Sequence, residues 1–109
     1  NIKKRSVAIK EVEVIIEHEL AEFYAWYSAQ EIVPVLKAMR QHIQTLAQQQ
    51  LKPLQSQLEE REYDMVKQAF HTLTNKILHT PSRTLKEMCT EGNAEKASAY
   101  AKELFGLTL

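Results

Sequence analysis

The 109 residues are enough for one domain with a modest core and too few for two nucleotide-scale domains. Fourteen Lys plus Arg balance fourteen Asp plus Glu, so no overall field gathers nucleic acid or an anionic membrane, and weak colloidal repulsion favours association. The single Cys89 excludes an intramolecular disulfide, and with neither a signal-peptide core nor a run of about 18 apolar residues the expected setting is a reducing cytoplasm.

Two glycines and three prolines leave little material for turns, and no alternating strand pattern is bounded by Asn-Gly or Asp-Gly. The spacing therefore predicts an all-α protein, a bundle of about five helices led by a long N-terminal one. The first helix is expected from about Arg5 to Ser28, with Ala8, Val12, Ile15, Ile16, Leu20, Phe23, Trp26 and Tyr27 in one wide stripe and Glu11, Glu13, Glu17, Glu19 and Glu22 elsewhere. At about 1.5 Å per residue it is as long as a small domain is wide, so it should project beyond the body. Lys3, Lys4, Arg5 and Lys10 suit a helix N-terminus poorly. Together with an opening Asn1 in place of Met, they give the expectation of a piece cut from a longer polypeptide.

The second helix should start near Pro34 and run to about Gln50, burying Val35, Leu36, Met39, Ile43, Leu46 and Ala47. From Ile32 to Leu58 there are Lys37, Arg40 and Lys52 and no acid, which reads as a solvated face or, less simply, as a docking face for the acidic first helix. Pro53 interrupts the path, and Ser56-Gln-Leu-Glu59 has the form of a capping box. The third helix is then expected from about Gln57 to His79, with Leu58, Met65, Val66, Ala69, Phe70, Leu73, Ile77 and Leu78 inward. Thr80 as N-cap and Pro81 at the first helical position predict a corner there. A short fourth helix follows over about Pro81 to Thr90, with Leu85, Met88 and Cys89 inward and Gly92 ending it. Asn93 should cap the fifth, whose stripe is Ala94, Ala97, Ala101, Leu104 and Phe105 and whose stop is Gly106. Short connections imply antiparallel neighbours.

Chemistry-bearing patterns are thin. His18-Glu19-Leu20-Ala21-Glu22 lacks the second histidine of a zinc-binding H-E-x-x-H, and His42, His71 and His79 have no Cys-x-x-Cys or paired acids beside them, so no metal site is expected. Cys89 falls near a helix C-terminus, where the dipole disfavours a thiolate, and reads as a small buried apolar residue. His79, placed at the end of the third helix, would interact favourably with the dipole. No glycine-rich loop can cradle nucleotide phosphates. No catalytic, cofactor-binding or metal-binding residue is therefore assigned within the chain. A small all-helical chorismate mutase would fit the size, but Arg5, Arg40, Arg61 and Arg83 do not converge by spacing. A stand-alone helical adaptor holding a partner helix in a groove is the other alternative.

The wording of several segments is more specific than their physics. Ala21-Glu-Phe-Tyr-Ala-Trp26, Val33-Pro34-Val-Leu-Lys-Ala-Met-Arg40, Asn75-Lys-Ile-Leu-His-Thr-Pro81 with Leu85-Lys-Glu87, and Glu103-Leu-Phe-Gly-Leu107 together resemble the C-terminal end of the glutamyl-tRNA reductases, over essentially the whole chain. Gln48 to Glu60 and Cys89 depart from that pattern. The resemblance implies one helical dimerisation domain over residues 1–109, with 1–30 the end of a spinal helix and 31–109 the bundle. It implies that the parent enzyme reduces glutamyl-tRNA to glutamate-1-semialdehyde through a cysteine thioester with hydride from NADPH, for tetrapyrrole synthesis. The catalytic residues, the NADPH site and most of the tRNA contacts would then lie outside these residues, whose own role is homodimerisation. Independently of the resemblance, the apolar stripes of the first three helices exceed what a monomer of this size comfortably covers, so the second and third helices are expected to make most of a two-fold contact.

Overall fold

The computed structural model describes all of residues 1–109 and contains four α-helices and one 3₁₀ turn, with no strand. Helix α1 spans Ile2–Glu31, α2 Val33–Leu51, the 3₁₀ turn Lys52–Ser56, α3 Glu60–Thr90 and α4 Ala94–Phe105. The all-α expectation holds. The count of about five does not, because the third and fourth expected helices are one.

That fusion happens at Pro81, which lies inside α3. Proline there can give no N–H to the carbonyl of Ile77, and its ring crowds that carbonyl, a combination that ordinarily ends a helix. The apolar phase explains why it does not. Thr74, Leu78, Leu85 and Cys89 are all buried and fall on one stripe of a single helix at spacings of four, seven and four. A corner at Thr80 would break that register and expose half of it. Burial of the stripe outweighs one missing hydrogen bond, so Thr80 is not an N-cap and His79 is at mid-helix, not at a helix end.

The core joins Ile32, Val35 and Met39 to Leu78, Leu85 and Cys89 of α3 and to Ala97 and Ala101 of α4. The two alanines are 0% and 1% exposed, and their small side chains let α4 approach closely. Ile32 is the single residue between α1 and α2 and is itself buried. Pro34 occupies the first turn of α2, where its missing N–H is not needed. At the far end Glu59, not Ser56, opens α3: its backbone N–H donates to Glu62 Oε1 at 3.2 Å, while Ser56 Oγ donates to the Pro53 carbonyl at 3.3 Å. Gly92 and Gly106 adopt φ of +84° and +64° just past α3 and α4, the left-handed conformation that closes a helix and that L residues resist. Asn93 precedes α4 without a side-chain cap hydrogen bond.

The chain extends over 84 × 27 × 16 Å with a radius of gyration of 22.5 Å, against about 13 Å for a compact domain of 100 residues. Helix α1 is the reason. None of its residues is buried, and every residue up to Tyr24 stands in solvent. As expected, it projects from the body.

Candidate functional site

Ten of the 109 residues are buried, so much of the apolar inventory faces outward. On α3, Met65, Ala69, Leu73 and Ile77 recur every four residues and are exposed, with Val66 and Phe70 half-buried beside them. Of the eight residues expected inward between Leu58 and Leu78 only Leu78 is buried, whereas Leu85 and Cys89 further along α3 are buried as expected. The amphipathic reading was right about the stripe and wrong about what covers it. On α2, Val35 and Met39 are buried as expected, whereas Leu46 is exposed. On α4, Leu104 is 80% exposed.

The end of α1 carries a second apolar group. The Phe23 ring lies 6.0 Å from Tyr24 edge-on, 6.2 Å from Trp26 and 6.2 Å from Tyr27 in a stacked arrangement, and each of the four is more than half exposed. Along the rest of α1, Val7, Val12, Ile15, Ile16 and Leu20 have no packing partner. Contiguous apolar surface on this scale marks an interaction face. It lies on rigid helices, which suits a preformed interface.

Charge is divided along the molecule although its total is zero. Glu11, Glu13, Glu17, Glu19 and Glu22 make the middle of α1 acidic. Both α2 and the stretch of α3 from Met65 to Lys86 contain no acid at all. These two helices pack together, with Arg40 Nη1 donating to Asn75 Oδ1 at 2.7 Å. Their junction forms a cleft of about 430 Å³ that brings Arg40 and Arg83 together, with His79 and Lys86 alongside. Spacing alone did not show this convergence; the signal available in the sequence was the run without acids, read only as far as Leu58. Arg5 and Arg61 lie elsewhere.

The remaining titratable candidates are placed plainly. His18 Nε2 sits 3.0 Å from Glu22 on the exposed side of α1, and no three His, Cys, Asp or Glu side chains converge anywhere. Cys89 is 1% exposed in the core, and burial, with a smaller contribution from Glu31, pushes its thiol above the ordinary value. It is the packed apolar residue that its position suggested. No helix is long and apolar enough to cross a membrane.

A long helix joined to a small helical body, with most of its apolar surface facing out, defines an all-helical association module. The family described as glutamyl-tRNAGlu reductase, dimerisation domain, matches residues 11–107. Among curated relatives, glutamyl-tRNA reductase from a Sulfurihydrogenibium species is 33% identical over 104 residues, covering 92% of this chain and 24% of the relative. The Listeria innocua protein of that name is 32% identical over 111 residues (99% and 26%), and that of Thermosynechococcus vestitus is 30% identical over 111 residues (98% and 26%). No solved structure matches. The chain belongs to the glutamyl-tRNA reductase dimerisation-domain family, and it spans about a quarter of the length of the curated relatives it matches.

Proposed function

We propose that these residues pair two copies of the chain as a homodimer, through a two-fold, self-complementary contact made mainly by α2 and α3. The observation that carries this is the unpartnered stripe of Met65, Ala69, Leu73 and Ile77 on α3, backed by family membership. A stable obligate interface commonly buries about 2,000 Å² or more, and an extended helical pair has the length to supply it. The full protein is proposed to reduce glutamyl-tRNA to glutamate-1-semialdehyde with NADPH in the cytoplasm. Its thioester-forming cysteine, its NADPH site and most of its tRNA contacts would lie outside these residues, and the buried Cys89 is unsuited to the nucleophile's role. Pairing would set the separation of two sets of catalytic domains carried on the two α1 helices.

Sedimentation equilibrium of the 109 residues over a wide concentration range tests the pairing. A mass of two chains that persists on dilution supports it. A clean monomer at high concentration would instead favour a surface that holds a different partner.

A further inference from the structure

We propose that the cleft between α2 and α3 binds the phosphate backbone of RNA. The inference rests on the reading of the parent protein as an enzyme of glutamyl-tRNA, and it gives that substrate a contact within this chain. Arg40 reaches in from α2, and Asn75, His79, Ser82, Arg83 and Lys86 line the cleft from α3. Buried Leu78 forms its floor, and no carboxylate lines it.

The geometry suits a strand of phosphates better than one small anion. Asn75, His79, Ser82 or Arg83, and Lys86 follow one another at the turns of α3 and extend over roughly 16 Å of helix. The Arg40 guanidinium is held by its 2.7 Å bond to Asn75, which uses one of five N–H donors and leaves the others free in a fixed fork. Ser82 adds a neutral donor of the kind that positions phosphate oxygens. The nearest acid, Glu87, meets Arg83 only at 3.9 Å, with both side chains more than 60% exposed. Such a loose pair gives way to a multiply charged ligand at little cost. Outside the cleft, Lys37 on α2 and Lys76 on α3 add to the positive charge of the two acid-free stretches. Glu11, Glu13, Glu17, Glu19 and Glu22 cannot neutralise it from within the chain, because that part of α1 projects from the body, and Glu31, at the base of α1, does not line the cleft.

The test is fluorescence-anisotropy titration of a labelled glutamate tRNA transcript with the 109-residue protein across 50–200 mM salt. Three double variants accompany it: R83Q/K86Q, the charge-preserving R83K/K86R, and K3Q/K4Q at the far end of α1. Loss of two phosphate contacts in R83Q/K86Q should flatten the slope of log affinity against log salt by about 1.5 and weaken binding by about tenfold or more at low salt. R83K/K86R should bind almost as the parent does, and K3Q/K4Q should change little. Equal loss in K3Q/K4Q, or no salt-dependent RNA binding, would overturn the proposal. So would saturable shifts of the Ser82 and Arg83 amide resonances by inorganic phosphate in a protein whose RNA affinity ignores R83Q/K86Q, which would make the cleft a free-anion site. Dissociation of a dimer by R83Q/K86Q without loss of RNA affinity would overturn it too, and would assign the cleft to the acidic α1 of a second copy. Sedimentation of the same variants separates failure of the RNA contact from failure of the dimer, and thermal melts verify that the exposed substitutions leave the fold intact.

Discussion

Arg40 and Asn75, 35 positions apart in sequence, meet at 2.7 Å and tie α2 to α3 just outside the core. The bond adds a polar tie to a helix pair otherwise joined through apolar core residues such as Met39 and Leu78. A charged donor to an exposed amide is worth about 1 kcal/mol, less than in a buried setting. Asn75→Ala alone would understate it, because alanine is the better helix former by roughly 0.6 kcal/mol. A double-mutant cycle of Arg40→Met and Asn75→Ala isolates the pair, and urea unfolding should give a coupling energy of about 0.5–1.5 kcal/mol. Strict additivity would mean that apolar packing alone sets the register.

Pro81 leads to a stability prediction in the opposite direction. Pro81→Ala restores an N–H for the Ile77 carbonyl and removes the ring from that carbonyl's path, while the stripe from Thr74 to Cys89 keeps its phase. Proline inside a helix costs about 3 kcal/mol relative to alanine, and loss of the half-buried ring's packing offsets part of the gain. The variant should be more stable by about 1–2 kcal/mol, read as a rise in the urea midpoint at unchanged slope. A fall in midpoint would show that the half-buried ring packs against a neighbour more favourably than the restored backbone bond.

Most of the helical architecture could be read from the sequence because it depends on local signals. Pro34 opens α2, and Gly92 and Gly106 close α3 and α4 where their positive φ is needed. The corner at Thr80 was misread for a physical reason. Proline's preference acts on two residues, whereas the stripe that overrides it is fixed by tertiary burial of Leu78, Leu85 and Cys89 against α2 and α4. Periodicity likewise put Leu73, Ile77 and Leu78 in one wide stripe, but did not tell that only its Leu78 edge meets the chain's own core while Leu73 and Ile77 stay exposed. The cleft was hidden for the same reason. Arg40 and Arg83 are separated by the whole α2–α3 hairpin, and only its antiparallel register joins them. Family membership, in contrast, was carried by wording, above all by Asn75 to Glu87.

Cys89 predicts a pH dependence. Its folded-state thiol is raised above the unfolded value, chiefly by burial. The folded protein therefore keeps the proton in a range where the unfolded chain has already lost it. Stability is fully present below the unfolded thiol value of about 8.5 and falls as pH rises from there through the folded value, by at most about 1.4 kcal/mol per pH unit. Urea midpoints measured from pH 7 to 10 should fall in the parent and fall less in Cys89→Ala. The native thiol should also react with a colorimetric disulfide reagent far more slowly than the unfolded one. Rapid native labelling would show that the core opens at the α3–α4 end.

Leu73 separates the interface from the fold. It is more than half exposed, so Leu73→Glu removes little from the monomer's core and should change its stability by less than about 0.5 kcal/mol. In the proposed dimer the same substitution places an unpaired carboxylate in a desolvated apolar contact, twice by symmetry. That is worth about 2 kcal/mol or more per buried position, so about 4 kcal/mol for the pair and roughly a thousandfold in dissociation constant. Sedimentation equilibrium should show a monomer with an undiminished helical circular dichroism signal. Phe70 is half-buried within its own chain, so Phe70→Glu should lower both association and stability, and the contrast between the two variants reports which part of the stripe faces the second copy. Met39, 0% exposed at the centre of the core, supplies the opposite case: Met39→Glu should unfold the chain at any concentration. A folded dimer in both Leu73→Glu and Phe70→Glu would remove this face of α3 from the interface and shift the contact to the exposed apolar side chains of α1, from Val7 to its aromatic end.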